Sequence, residues 1–221
     1  MIVGNGDIGQ EGSAVIDAAD LVIRFNACRS YGMGGTRTDI VAVCNTGRPG
    51  KVMLEQPEWA QHPAIHAATA IWCVRDPAKF AGDQQTLVLT HPELDDFADD
   101  YTDGFRTFAE QNGKQLHVIP ASTHEDLDQQ LQQFHPAPYV VPSSGAVVIA
   151  ELLGALSQPE DLITLAGFGH QGWEWHPWEA ERQWVDGLIA KGGLRRIAQP
   201  ANSATLDPSA SHSPKFSELQ G

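Results

Sequence analysis

Residues 167–181, GFGHQGWEWHPWEAE, gather His170, His176, Glu174, Glu179, Glu181 and three tryptophans within fifteen positions. An imidazole titrates near neutrality, so it can accept the proton of a hydroxyl at working pH. His176 is the candidate general base. It stands just before Pro177 and a helical segment carrying Glu179 and Glu181, either of which can orient the ring or raise its pKa. The competing reading is a surface histidine beside a helix cap. Trp173, Trp175 and Trp178 suit stacking on a sugar or a base, or equally a core cluster. His170 follows a strand-like run and is a candidate contact for a ligand phosphate. Reading the two histidines and two glutamates as metal ligands has little support, because neither H-E-x-x-H nor H-x-H spacing occurs. No metal is expected.

Two other segments have the composition of anion sites. In VPSSGAVVIAELLGAL, Ser143 or Ser144 caps a strongly apolar helix. At the positive end of the helix dipole, Ser143, Ser144 and Gly145 would offer backbone N–H groups and hydroxyls to a phosphate or ribose. A simple N-cap is the even alternative. The chain opens on MIVGNGDIGQEG, which contains G-x-G-x-x-G at Gly4, Gly6 and Gly9. A dinucleotide fingerprint also wants an acidic residue at the end of the second strand. That strand ends in RFN, and Gly12 interrupts the helix that should follow the glycines. NAD(P) or another dinucleotide therefore stands as an alternative ligand. Asn5 and Asn26 each follow a strand, so parallel pairing brings both to the carboxyl edge of the sheet, where an amide can donate to phosphate and accept from ribose or a base. Asn5 has a rival explanation, tolerance of positive φ in a turn. Arg24, inside an apolar strand, needs a partner, with Asp17 and Asp39 the expected ones. Arg37 reads as a solvated turn residue rather than a phosphate contact.

The first 43 residues resemble the large motif of the sialyltransferases, glycosyltransferase family 29. The matches are Gly4, Asn5, Gly6, Ile16, Asp17, Asp20, Arg24, Asn26, Gly35, Thr36, Arg37 and Thr38. VPSSGAVVIAELLGAL and LAGFGHQGWEW resemble the family's small motif and the turn that closes it, and His176 with Glu181 resembles its last H-x-x-x-x-E motif. The resemblance leaves out roughly residues 47–139. It implies a soluble, metal-independent inverting transferase without a cofactor. A sugar would pass from a CMP-activated donor to the hydroxyl of a glycan or small-molecule acceptor. His176, Glu181 and His170 would be catalytic, and Gly4, Asn5, Gly6, Asn26, Ser143, Ser144 and Gly145 would bind the nucleotide. The family joins its two motifs by a disulfide, and neither cysteine stands at the matching position here. Its separate His-aromatic segment is contracted, leaving His170 as the stand-in. Short bacterial proteins of this kind are also labelled urease-operon accessory proteins, a label of gene neighbourhood that says little about chemistry; a non-catalytic accessory module with a protein partner is a further alternative.

The elements that must position these residues are short apolar strands alternating with helices: MIV, LVIRFN, TDIVAVCN, ATAIWCV, QTLVLT, KQLHVIP, LITLAGFG and LRRI as strands. This argues for one α/β domain, Rossmann-like, three-layered, with a mostly parallel sheet; the resemblance implies a glycosyltransferase-A-like variant of it. The domain is expected over 1–198, with 199–221 a Ser/Pro-rich, disordered tail. Fourteen Lys and Arg against 28 Asp and Glu give a net charge of −14. Such a balance opposes general attraction to nucleic acid or an anionic membrane. No run approaches the length of a membrane span. Three cysteines without C-x-x-C spacing suit a reduced compartment, and the cytoplasm is the expected location.

Overall fold

Strand segments that are apolar at consecutive positions require cover on both faces of a sheet. The computed structural model, which describes residues 1–8, 10–158 and 160–197, supplies that cover. Strands β1 (Ile2–Val3), β2 (Ile23–Phe25), β3 (Ile40–Val43), β4 (Ala70–Cys73), β5 (Gln115–Val118), β6 (Thr164–Ala166) and β7 (Arg195–Arg196) form one sheet in the order β5-β4-β3-β2-β1-β6-β7. Every pairing is parallel. Among the described residues the helices are α1 (Gln10–Asp17), α2 (Gly47–Glu55), α3 (Pro57–Gln61), α4 (Pro63–Ala67), α5 (Pro77–Thr90), α6 (Thr102–Gln111), α7 (Ala121–Gln132), α8 (Ser144–Glu151) and α9 (Trp178–Ala190). Side-chain alternation along the strands sorts them into two layers. Ile23, Phe25, Ile40, Ala42 and Trp72 pack with residues of α7, α8 and α9. Val41, Val43, Ile71 and Cys73 pack with Met53, Trp59, Ile65 and Phe105 from α2, α3, α4 and α6.

Three expectations fail for local reasons. QTLVLT is the second half of helix α5 rather than a strand. Asp76 caps that helix by accepting from the Ala78 and Lys79 amides, Pro77 fits its first turn, and the apolar run stays largely solvent-exposed. Gly12 does not interrupt the first helix but lies within α1. The long helix read from residue 144 is α-helical only to Glu151 and continues as a wider π turn over Leu152–Leu156. Gly9, Pro159 and the proposed tail lie outside the described residues.

Arg24 is fully buried and has no ion pair among the described residues, so the expected bridge to Asp17 or Asp39 does not form. Its guanidinium donates to the carbonyls of Gly34, Gly35 and Arg37 and to the hydroxyls of Ser30 and Thr38. Five oxygens thus satisfy the fork, and the 30–38 loop is wrapped around it. Asp17 instead accepts from the Thr36 and Arg37 amides, while Asp39 pairs with Arg37 at 2.9 Å. All three cysteines are free and buried, and burial raises the Cys28 and Cys73 thiols to about 12. They serve as core residues.

Candidate functional site

The strand order reverses at β1, which lies between β2 and β6. In open α/β sheets a crevice forms outside the carboxyl ends of the strands at such a point. A cleft of about 370 Å³ sits there, lined by Gly4, Asn5 and Gly6 after β1, Asn26 after β2, and the 167–171 turn after β6. The N-terminus of α8 closes one wall with Ser143, Ser144 and Gly145, and His176, Trp178 and Glu181 close another. The structure therefore brings His170, His176, Glu181, Gly4, Asn5, Gly6, Asn26, Ser143, Ser144 and Gly145 to one cleft, whereas Trp173, Trp175 and Glu179 do not line it.

Their local roles differ from expectation. The Gly4 amide donates to Ala166 O at 2.8 Å and the Gly6 amide to Gly167 O at 3.0 Å. A Cβ on Gly4 would stand 2.4 Å from Gly167 O, and one on Gly6 2.8 Å from it. These glycines lock the ends of β1 and β6 together, and their N–H groups are occupied by that lock rather than presented to a pyrophosphate. The positive φ expected at Asn5 falls on Asn26 instead, at 50°. Asn5 Oδ1 accepts from the Arg29 amide and Asn26 Oδ1 from the Cys44 amide. Each side chain thus ties two loops together, and among the described residues neither Nδ2 donates a hydrogen bond.

Glu181 does not orient His176. Buried to 1% exposure, its carboxylate accepts from the Ser143 amide and the Ser143 hydroxyl, each at 2.6 Å. Burial raises its pKa, and the two Ser143 bonds pull the other way. Ser143 Oγ also accepts from the Ala146 amide at 3.2 Å, so it is a true N-cap. Ser143 is therefore engaged internally, and Ser144 and Gly145 are the helix-end groups left to meet a ligand. Glu179 lies on the surface against Arg182 and Gln183.

The group that orients His176 is the Val141 carbonyl, which accepts from Nδ1 at 2.7 Å. A carbonyl only accepts, so Nδ1 carries the proton and Nε2 the lone pair of the neutral ring. Trp173 and Trp178 hold the ring edge-on from two sides, each with centroids 5.0 Å away. Burial lowers its pKa to about 4, against the opposing effect of the Val141 bond, with the Arg75 charge adding to the fall. The ring is neutral at pH 7. The tryptophans are half-buried: Trp173 stacks on Phe97 and Trp175 packs on His91, so neither core nor free platform describes them.

His170 lines the cleft with a φ of 45°, its Nε2 accepting from Arg196 Nη2 at 3.3 Å. Burial and then the Arg196 charge lower its pKa. Sequence reading passed over two cations here: Arg29, which lines the cleft, and Arg196, which stands behind it on the Phe168 carbonyl and His170. Arg29 lines the cleft beside Asn5, and Arg196 ends the last short strand, which was the one signal available. A second cavity of about 350 Å³ lies beyond the ends of β3 and β4 and meets the first at Asn26, Ser144 and His176. His176 thus stands where two cavities join. Among the described residues no three His, Cys, Asp or Glu side chains are grouped to hold a metal ion, and no helix is long and apolar enough to cross a membrane.

No protein-family model matches the chain. It is 54% identical over 203 residues to the "Urease operon 23 kDa accessory protein" of Rhizobium meliloti (strain 1021), covering 92% of this chain and 94% of that one. Its fold is similar to that of a mammalian sialyltransferase, at a TM-score of 0.51 and 19% identity over 89% of this chain and 67% of the other. A complex of a mammalian sialyltransferase with Gal-beta-1-3GalNAc-ortho-nitrophenol aligns at 0.50 and 16%, with the same coverage. At these identities the likeness is one of fold.

Proposed function

The chain belongs to the family of the urease operon 23 kDa accessory protein, and on that premise we propose that it binds a CMP-linked sugar in the cleft and transfers the sugar to an acceptor hydroxyl. The observation that carries this reading is His176 at the junction of two cavities, its Nδ1 proton fixed on Val141 O and its Nε2 lone pair left for chemistry. The first cavity would take the nucleotide, with the Ser144 and Gly145 amides at the α8 N-terminus and Arg29 facing its phosphate, and Arg196 adding its charge from behind His170. Asn5 and Asn26 would offer their amide donors to ribose or base. Catalysis would then be the removal of the acceptor proton by Nε2 as the bond from the anomeric carbon to the CMP oxygen breaks. A bound anionic phosphate beside the ring would raise its pKa from about 4 toward a more useful range. Glu181 acts through Ser143 in this reading, as a positioning residue, and His170 stands between Arg196 and the phosphate.

A second reading is favoured by a different observation. The relative at 54% identity is named as an accessory protein, whereas the sialyltransferase likeness is one of fold. On the comparisons alone, a non-catalytic accessory protein that retains the cleft and meets a protein partner is the better supported of the two; the His176 geometry supports the first. CMP release from a CMP-linked sialic acid, followed with candidate acceptors, separates them. The transferase reading expects turnover that falls by about 10²–10⁴ in His176→Ala while CMP affinity stays within a few-fold. Binding without turnover, unchanged in the variant, supports the accessory protein.

A further inference from the structure

The second cavity contains a cation that the first does not explain. Arg75 follows β4 and is 5% exposed, yet its Nε and Nη1 have no hydrogen-bond partner. Among the described residues no carboxylate pairs with it. Asp76, its neighbour in sequence, is engaged in capping α5 and in accepting from the Ala121 amide, and Asp96 on the cavity wall is held by Arg48 at 2.7 Å. The same cavity holds Thr46, 2% exposed, whose Oγ1 is also without a partner. Thr46 occupies the N-cap position of α2 but its side chain caps nothing.

These groups are held in place. Asn45, fully buried, accepts from the Arg75 amide at 2.9 Å and donates to the Arg75 carbonyl at 3.0 Å, fixing the backbone from both sides. The guanidinium lies against the Phe80 and Phe97 rings together, 4.8 and 4.6 Å from their centroids. A buried charge without a counter-charge is costly, and a buried donor without an acceptor adds to the cost. In a chain with twice as many acidic as basic residues, an acidic partner would be easy to supply. Its absence here leaves guanidinium N–H donors on two edges, the Thr46 hydroxyl and the Arg48 amide of the α2 N-terminus lining one cavity, donors suited to a carboxylate or phosphate; the Gly47 amide is taken by Asp99 O and Pro49 has none. Leu94, Phe97 and Trp173 give the rest of the wall an apolar surface suited to a ring.

We propose that Arg75 and Thr46 form an anion site that seats the carboxylate or phosphate of a sugar-sized ligand in the second cavity. The site stands independently of any transfer in the first cavity. An anion seated there would also neutralise a charge that now depresses the His176 pKa, coupling occupancy of one cavity to the basicity of the residue shared by both.

The test uses the full chain at matched ionic strength, with D-glucuronate, D-glucose 6-phosphate and D-glucose as probes and melting temperature and tryptophan fluorescence as readouts. A stabilising response to one or both anions and none to glucose is expected, and the tighter anion decides between carboxylate and phosphate. Thr46→Val should weaken that binding by roughly tenfold, from the loss of one hydrogen bond to a charged group. Arg75→Met should abolish it, and without ligand should melt no lower than wild type because an unpaired buried charge has been removed. Should Arg75→Met fail to fold, Thr46→Val alone carries the test. Anions no better than glucose, or an anion response unchanged in the folded variants, overturns the proposal. Because no nucleotide enters this experiment, its failure is separate from failure of the transfer reading.

Discussion

Replacing Glu181 probes the joint between the last helix and the α8 N-terminus. Its carboxylate accepts two 2.6 Å bonds from Ser143, whose own surroundings are buried. Hydrogen bonds to a charged group contribute about 1.5–3 kcal/mol each, so Glu181→Ala forfeits about 3–6 kcal/mol of interaction. Relief from burying the carboxylate, the same burial that raises its pKa, returns part of this. A net loss of about 2–4 kcal/mol is expected. Glu181→Gln keeps the shape and one carbonyl acceptor for the Ser143 amide. Its NH₂ can still donate to Ser143 Oγ, so its cost should be about 1 kcal/mol. Urea denaturation at pH 7.5 reads both, and with a slope of about 2–3 kcal/mol/M the alanine variant should unfold roughly 1 M earlier. A Glu181→Ala protein within 0.5 kcal/mol of wild type would refute the reasoning, because the two bonds would then contribute nothing net. The alanine variant should also weaken nucleotide binding, since it frees the turn that presents Ser144 and Gly145.

Gly4→Ala sets a Cβ 2.4 Å from the Gly167 carbonyl and should destabilise by 1–3 kcal/mol or more, measured by the same denaturation; Gly82→Ala, with open space around it in α5, should stabilise by up to about 1 kcal/mol. With His176 near 4 in the free protein, kcat/KM for sugar transfer should hold from pH 8 down to about 5 and fall as the ring gains a proton below that. A base whose activity halves near 6.5 would contradict this, since only burial and the Arg75 charge depress it.

Buried apolar runs made most strands legible in the sequence, because a doubly covered sheet needs near-continuous hydrophobicity. Cap chemistry located α8 and Gly192 marked the end of α9, where its φ is 80°. QTLVLT escaped because a short apolar run has no period that separates an exposed helix from a buried strand. At the site, parallel topology correctly carried Asn5 and Asn26 to one edge, where the 167–171 turn meets them. Pairings across loops were not legible. The H-x-x-x-x-E spacing brings His176 and Glu181 near each other, but His176 precedes Pro177 outside the helix, so spacing fixes neither side chain's direction. Their partners proved to be Val141 and Ser143. Arg75 was invisible because a single basic residue after AIWCV looks like an ordinary strand end; only its missing partner distinguishes it.

The most direct measurement is the stabilisation of the purified protein by CMP against NADPH at matched excess. A ligand at a hundred times its Kd adds about 2.7 kcal/mol to the native state. The account predicts a clear rise in melting temperature with CMP, retained in His176→Ala, and none with NADPH. A rise with NADPH and none with CMP would return the opening glycines to a dinucleotide and contradict the assignment of the cleft.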